Sequence, residues 1–221
     1  MKRNPWLMLL VLVIVFGALF TFMVTSAMNS FFGNSAKVQV SSKDSILHLK
    51  LEGIIMDGKK ILKPLLKYRN NSKIKAVIVE VNSPGGVVGP SQEIFSELKK
   101  VRTVYKKPLV VVSTSLMASG ALYSAMAADK IFVAEGALVG SIGVIMEFVN
   151  LEGLYNWAKV QRYTITTGKF KDSGADYRAM REDERAHFQD LADNVLTQFK
   201  KAVMEGRNLK QAEVDSMADV S

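Results

Sequence analysis

The sequence predicts a layered α/β domain preceded by a transmembrane helix at the amino terminus. In the body of the chain, short apolar runs rich in Val and Ile alternate with longer segments of helical spacing, the pattern of a sheet covered by helices. At the amino terminus no charge occurs between Arg3 and Lys37, and residues 5–24 are apolar apart from Thr21. Such a run matches the roughly 20 residues that cross a bilayer.

Residues 1–27 are therefore interpreted as a membrane anchor, with residues 28–44 as a juxtamembrane linker and residues 45–221 as one domain. Lys2 and Arg3 predict that the amino terminus stays in the cytoplasm and that the body lies outside it. The competing interpretation is a cleaved signal peptide, with small residues at 25–27 as the cleavage site. The apolar run exceeds the roughly 7–15 residues of a signal-peptide core, which favours an uncleaved anchor.

Within the domain, strands are predicted where apolar residues run together or alternate with polar ones between turn residues. They fall at residues 38–41, 46–51, 74–81, 109–112, 130–134 and 162–167. Helices are predicted at residues 59–68, 90–101, 121–128, 151–158 and 181–204. Pro64 is expected to kink the first helix or to shift its boundary. The long last helix is predicted to bury Phe188, Leu191, Val195, Leu196 and Phe199.

Composition excludes several kinds of chemistry. The chain has no cysteine, which rules out a disulfide framework, a thiol nucleophile and a cysteine-based zinc site. Its only histidines, His48 and His187, are far apart in the sequence. The chain therefore has very few histidines with which to build a Ser-His-Asp triad or a histidine metal site. We therefore expect no metal or cofactor, and we expect Lys, Asp or Glu to serve as any general base.

The net charge of +8 comes largely from two basic segments, residues 59–75 and 99–107. We interpret them as solvated helix faces, with contact to anionic lipid near the anchor as the alternative. No nucleic-acid-binding motif accompanies them.

Three segments carry residues suited to catalysis. Ser119 lies where a strand meets a helix, a position that suits either a nucleophile beside an oxyanion or an ordinary helix N-cap. Gly85-Gly86 follow a strand and could offer a backbone N–H to an oxyanion. The loop at residues 168–174 holds Lys169 and Lys171, either of which could activate a serine in its neutral form.

Four motifs, taken in order, resemble one family. They are Asn82-Ser83-Pro84-Gly85-Gly86, Ser115-Leu116-Met117-Ala118-Ser119-Gly120, Gly140-Ser141-Ile142-Gly143-Val144 and Gly168-Lys169-Phe170-Lys171-Asp172. Over roughly residues 45–215 the chain resembles the short form of signal peptide peptidase A, a membrane-anchored Ser–Lys peptidase. The resemblance implies the Clp-protease/crotonase fold, a layered ββα domain.

Carried over position by position, the resemblance implies that Ser119 is the nucleophile, Lys171 the general base and Ser141 the residue that orients the lysine. The backbone N–H groups of Gly86 and Gly120 would form the oxyanion hole. It further implies peptide substrates, including remnant signal peptides, bound in extended form beside the active-site strand. Homo-oligomers in which neighbouring subunits share the dyad are also implied.

The sequence ends at Ser221, where members of the family continue into further β/α elements. Either the gene is truncated or the sequence is a fragment, and a missing tail could remove subunit contacts.

Two other functions are alternatives to the peptidase. One is a crotonase-like enzyme acting on acyl-thioesters, since the fold hosts both chemistries. The other is a catalytically silent membrane scaffold.

Overall fold

The computed structural model describes Trp6, residues 14–23 and residues 43–219. The chain divides into two compact units, Met1–Val40 and Ser41–Ser221. In the first unit, residues 14–23 are helical (α1) and exposed. Among the described residues, no helix is both long and apolar enough to cross a membrane. The predicted anchor lies partly, and the strand predicted at residues 38–41 wholly, outside the described residues.

A four-stranded parallel sheet forms the centre of the second unit. Its strands, in spatial order, are β1 (Ser45–Glu52), β2 (Ile74–Asn82), β3 (Leu109–Ser113) and β5 (Lys130–Val133). Leu47 pairs with Val77, which pairs with Leu109 on its other side, and all three are buried. A two-stranded parallel sheet, β4 (Leu116–Ala118) with β6 (Leu138–Gly140), accompanies it. All the strands that pair within these sheets are therefore parallel, so their carboxyl ends face one way.

Helices cover these sheets. They are α2 (Lys59–Tyr68), α3 (Val88–Thr103), α4 (Gly120–Ala125), α5 (Glu152–Trp157), α6 (Glu182–Arg207) and α7 (Gln211–Asp219). α2 packs on β1, and α4 packs against both α3 and α6. Because Ile94, Leu98 and Val101 recur at helical spacing, α3 places all three in the same core as Val77 and Leu109.

The structure confirms the predicted mixture of helices and strands, shows that the paired strands are parallel, and corrects several elements. Residues 162–167 form no strand: Tyr163 is 84% and Ile165 100% exposed, and no neighbouring strand among the described residues pairs with this segment. Pro64 does not shift the boundary of α2, which runs through it over the predicted residues. In α6, Phe199 is buried as expected, whereas Leu191 is exposed.

Candidate active site

Ser119 lies on a strained turn between β4 and α4. Its backbone adopts φ 49° and ψ −124°, a conformation that costs a non-glycine residue free energy and that clusters at functional sites. A sharp turn from strand to helix is also how nucleophilic serines of other folds are exposed. Ser119 occupies the N-cap position of α4, yet its hydroxyl makes no capping hydrogen bond. Within the described part of the chain this hydroxyl has no hydrogen-bond partner at all, so it is available for chemistry.

Gly86 and Gly120 bring two backbone donors beside Ser119. A Cβ built on Gly120 would lie 3.4 Å from the Gly86 nitrogen, so the two main-chain segments are in contact. Gly120 is the first residue of α4, and its N–H is one of those that a helix leaves unpaired. Neither N–H has a hydrogen-bond acceptor among residues 43–219. Two unpaired N–H donors could stabilise the oxyanion that forms when the neighbouring hydroxyl attacks a carbonyl group.

Close packing explains why glycine occupies both positions. A Cβ on Gly86 would lie 2.3 Å from the carbonyl oxygen of Ile55, which belongs to the backbone and cannot move aside cheaply. A Cβ on Gly120 would lie 2.3 Å from the hydroxyl oxygen of Ser91. Any side chain at either position would therefore disturb the geometry of the two donors.

A small cavity of about 90 Å³ opens beside Ser119. Its apolar lining includes Val88, Ile145 and Phe199, with Tyr123 between helices α3 and α6. The Tyr123 ring meets Phe199 edge-on at 5.2 Å. Burial raises the pKa of the Tyr123 phenol, which therefore stays neutral over a wide pH range. A larger groove of about 580 Å³ runs along α6 and does not include Ser119. The cavity beside Ser119 suits a small apolar side chain.

The structure brings Ser141 to the same end of the two-stranded sheet. Ala118 pairs with Gly140, so Ser119 and Ser141 each follow a paired residue. The backbone N–H of Ser119 donates to the carbonyl of Gly140 at 2.9 Å. Ser141 has a positive φ of 57° and is exposed. The structure thus brings Ser119, Ser141, Gly86 and Gly120 to one region of the molecule.

Lys171 does not join them within a single chain. It is exposed in the loop after residue 167 and does not line the cavity beside Ser119. Its ammonium has no ion pair or hydrogen bond in the part of the chain that the structure describes. Lys169, the other candidate base, pairs with Asp183 at 2.8 Å. Of the two lysines in this loop, Lys171 is therefore the one whose ammonium has no ion pair among the described residues.

A buried ionic cluster, which the sequence did not indicate, holds this loop against α6. Glu184 is fully buried and accepts hydrogen bonds from Arg178 at 2.9 Å and from the backbone N–H of Arg181 at 2.9 Å. Arg178 also pairs with Asp172, the residue after Lys171, at 3.0 Å. Hydrogen bonding to Arg178 lowers the pKa of Glu184 to about 2. The sequence does contain one signal for this contact: Glu184 lies three positions after the N-cap residue Arg181, the spacing at which an acidic side chain accepts the N-cap backbone N–H.

Two buried serines, also missed, support the glycine turn. The Ser124 hydroxyl is within hydrogen-bond distance of the carbonyls of Gly120, at 2.8 Å, and Ser91, at 3.1 Å. Ser91 in turn donates to the carbonyl of Val87 at 2.9 Å. These contacts join the first turn of α4 to α3. No pattern in the sequence marks them, because they link small residues of different helices.

Comparison with known proteins assigns the chain to the peptidases. The profile of Peptidase family S49 matches residues 102–221, more than half of the chain, and the chain belongs to this family. Among the described residues, no three or more His, Asp or Glu side chains lie together in a group that could hold a metal ion.

Three relatives illustrate the similarity. A protein of Synechocystis sp. provisionally named as a protease is 34% identical over 182 residues, which cover 82% of this chain and 65% of that protein. One of Enterococcus faecium, provisionally named signal peptide peptidase SppA, is 30% identical over 192 residues, 81% of this chain and 56% of its own length. The chloroplastic serine protease SPPA of Arabidopsis thaliana is 29% identical over 174 residues, 78% of this chain and 25% of the plant protein. The chain thus spans less than two thirds of each relative.

Proposed function

We propose that this protein is a serine endopeptidase in which Ser119 is the nucleophile and Lys171 the general base. The observation that carries the proposal is the free hydroxyl of Ser119, held on a strained turn beside the unpaired N–H groups of Gly86 and Gly120. Membership of a peptidase family supports it.

In the proposed mechanism, neutral Lys171 accepts the Ser119 hydroxyl proton as the serine oxygen attacks the scissile carbonyl carbon. The oxyanion that forms accepts hydrogen bonds from Gly86 and Gly120. The protonated lysine then donates its proton to the leaving amine, which departs and leaves an acyl-enzyme on Ser119. Lys171 next removes a proton from water as the water oxygen attacks the ester carbonyl carbon. It then returns that proton to the Ser119 oxygen as the ester C–O bond breaks, which releases the acid product and restores the free serine and the neutral lysine. Ser141 would orient the lysine amine.

We infer that a neighbouring copy of the chain supplies the lysine. Two observations support this. Lys171 is exposed and without an ionic partner in the described part of its own chain. The segment between Ser141 and Lys171 exposes large apolar side chains, including Ile145 (85%), Trp157 (81%) and Ile165 (100%). Large apolar side chains exposed along one segment favour a protein–protein contact there. A homo-oligomer that covers this surface would also complete the site.

The proposed substrates are peptides, including remnant signal peptides, cleaved outside the cytoplasm by a protein anchored through residues 5–24. The apolar run and the lysine and arginine before it support the anchor and its orientation. The small apolar cavity beside Ser119 supports a substrate with a small apolar side chain next to the scissile bond.

Hydrolysis of a fluorogenic peptide library by the purified full chain tests the proposal. We expect Ser119→Ala and Lys171→Ala each to lower kcat by about 10³-fold or more, since dyad members act as a unit. Ser115→Ala and Lys169→Ala are matched controls and should retain activity. Cleavage that survives Lys171→Ala but not Lys169→Ala would identify the other lysine as the base. Thioesterase activity that persists in Lys171→Ala would favour the acyl-thioester function instead.

A further inference from the structure

Basic residues collect at the amino-terminal edge of the four-stranded sheet, which the proposed site does not use. Because the strands are parallel, they all begin at this edge. Lys73 directly precedes β2, Lys106 and Lys107 lie just before β3, and Lys130 is the first residue of β5. α2 ends at the same edge with Lys67 in its last turn. We define the basic end as Lys67, Lys73, Lys75, Lys106, Lys107 and Lys130.

The strand register places these side chains close to one another. Ser45 pairs with Ile74, Val77 with Leu109, and Val110 with Lys130, so the four strand starts adjoin. By this register Lys75 lies opposite Lys107. The Lys107 ammonium donates to the carbonyl of Asn71, in the turn before β2, at 2.7 Å. Burial, and secondarily the charge of Lys75, lowers the pKa of Lys107. Lys75 and Lys107 thus repel one another.

The part of the chain that the structure describes neutralises little of this charge. Within residues 43–219, Lys67, Lys73, Lys106 and Lys130 are exposed and have no acidic partner, while Lys75 has a single exposed contact with Asp44 at 3.6 Å. The other carboxylates of this region serve different cations. Glu97 pairs with Arg69 and, at 2.6 Å, with Lys100. Asp129 pairs with Arg102 and accepts the N–H of Leu109. A set of unpaired cations remains for an external anion.

We propose that the basic end binds the anionic headgroups of a phospholipid bilayer. The chain enters β1 at Ser45, at this same edge, and only residues 25–44 separate it from the apolar run at residues 5–24. Val104, 63% exposed two residues before Lys106, adds an apolar side chain suited to the interface below the headgroups. Clustered lysines beside an anchor attract anionic lipid. The choice of lipid over other polyanions rests on the proposed anchor.

The catalytic site lies at the opposite edge of the strands. Ser119 follows β4, and Gly85-Gly86 follow the end of β2. Lipid at the basic end therefore leaves the cavity beside Ser119 open, and hydrolysis of a short soluble peptide should not depend on these lysines. Loss of lipid binding and loss of catalysis are separable by experiment.

Because the chain has no cysteine, one introduced thiol reports on one site. The full chain, labelled with an environment-sensitive dye through Ser72→Cys beside Lys73, is placed in neutral detergent micelles. The micelles are doped with phosphatidylglycerol or, at equal amount, phosphatidylcholine. We expect a blue shift of the dye's fluorescence emission with phosphatidylglycerol but not with phosphatidylcholine, and we expect added salt to reverse it. The same dye at Ser216→Cys, on α7, should not respond.

Substitution of the lysines tests the assignment. The triple variant Lys73→Gln, Lys106→Gln and Lys130→Gln should weaken the apparent affinity for phosphatidylglycerol by about 100-fold, at roughly fivefold per lysine. The matched control is Lys59→Gln, Lys60→Gln and Lys63→Gln, three exposed lysines in the first half of α2. The control should change affinity by less than about threefold, and both triples should keep peptide hydrolysis.

Three results would overturn the proposal. One is an equal dye response to the two lipids, and another is an equal loss of affinity in the two triple variants. The third is tighter binding to a duplex oligonucleotide than to phosphatidylglycerol micelles at the same salt, which would make nucleic acid the ligand. If Ser119→Ala retains peptidase activity while the dye response persists, the proposed catalytic function fails and the lipid site stands.

Discussion

The Ser124 hydroxyl connects the first turn of α4 to α3 through its contacts with the carbonyls of Gly120 and Ser91. It is buried and makes its contacts only with the carbonyls of Gly120 and Ser91 within the described residues. We expect Ser124→Ala to lower the free energy of unfolding by about 1 kcal/mol. If the contact also positions the oxyanion donors, kcat should fall several-fold with KM unchanged. Thermal unfolding and steady-state kinetics measure the two effects.

Ser216→Ala serves as the control for that substitution, since it removes a local hydrogen bond, to the carbonyl of Glu213, on an exposed helix. It should leave kcat unchanged. If Ser124→Ala loses stability but keeps full kcat, its role is structural only.

Gly120 offers a second test at the same turn. In Gly120→Ala the new Cβ would meet the Ser91 hydroxyl oxygen at 2.3 Å, so the turn or Ser91 must shift. We expect kcat to fall by about 10²-fold or more, the usual cost of losing an oxyanion donor. Adding Ser91→Ala removes the clashing oxygen and leaves a nearest contact of 3.1 Å, and should restore part of the activity. Gly89→Ala, where nothing lies within 4 Å, should keep full activity.

At the scale of elements, the ionic cluster ties the lysine loop to α6. Arg178 holds the pKa of Glu184 at about 2, below its ordinary 4.5. A carboxyl group whose pKa is lowered by folding stabilises the fold above its unfolded pKa, and this stabilisation is lost as pH falls through the folded pKa. We therefore expect the thermal midpoint to drop between about pH 4.5 and pH 2, and Glu184→Gln to remove much of that drop.

Thermal unfolding between pH 7 and pH 2 tests this assignment. Glu184→Gln should also lower the midpoint at pH 7, because a neutral amide replaces the buried one of the two carboxylates that pair with Arg178. The control is Glu182→Gln, in the same turn of α6 but exposed. An unchanged pH dependence in Glu184→Gln would place the acid sensitivity in other carboxyl groups.

The sequence predicted the short elements α4, β5 and α5 as well as the longer elements, and the longer ones show the clearest local pattern. β1, β2 and β3 alternate or run apolar over four or more residues, and α2, α3 and α6 bury one stripe. β4 and β6 have three residues each, too few for a period to show. Residues 162–167 carry the alternation of a strand, but pairing requires a neighbour that the pattern does not supply.

The candidate site divides in the same way. Ser119, Gly86 and Gly120 stand at junctions of elements, where motifs and turn residues are visible in the sequence. Ser91, Ser124 and the Arg178–Glu184 pair act through contacts between separate segments, which no local pattern specifies. If neighbouring copies share the site, the distance from Lys171 to Ser119 is set by how two chains assemble. A local sequence pattern does not specify that assembly.

At the scale of the whole molecule, apolar surface concentrates on one stretch of the chain. Between residues 145 and 165 the large apolar side chains are mostly exposed, whereas those of β1 to β3 and α3 are mostly buried. Leaving this surface in water costs free energy in proportion to its area. A partner that covers it would gain that free energy. An interface of identical chains is the simplest assembly that also delivers Lys171.

Complementation between inactive variants tests whether chains share the site. Ser119→Ala and Lys171→Ala are each expected to be inactive, but an oligomer formed from equal amounts of both contains junctions with an intact serine and an intact lysine. Random assembly would restore about a quarter of the parent activity, because each junction draws its two residues independently from neighbouring chains. The variants are mixed in denaturant or co-expressed, and peptide hydrolysis is measured per site. A third variant, Ile165→Asp, places a charge in the apolar surface and should abolish both complementation and the oligomer seen by sizing. If the mixture stays inactive while the parent is oligomeric and active, serine and lysine come from the same chain, and the loop at residues 168–174 must move to reach Ser119.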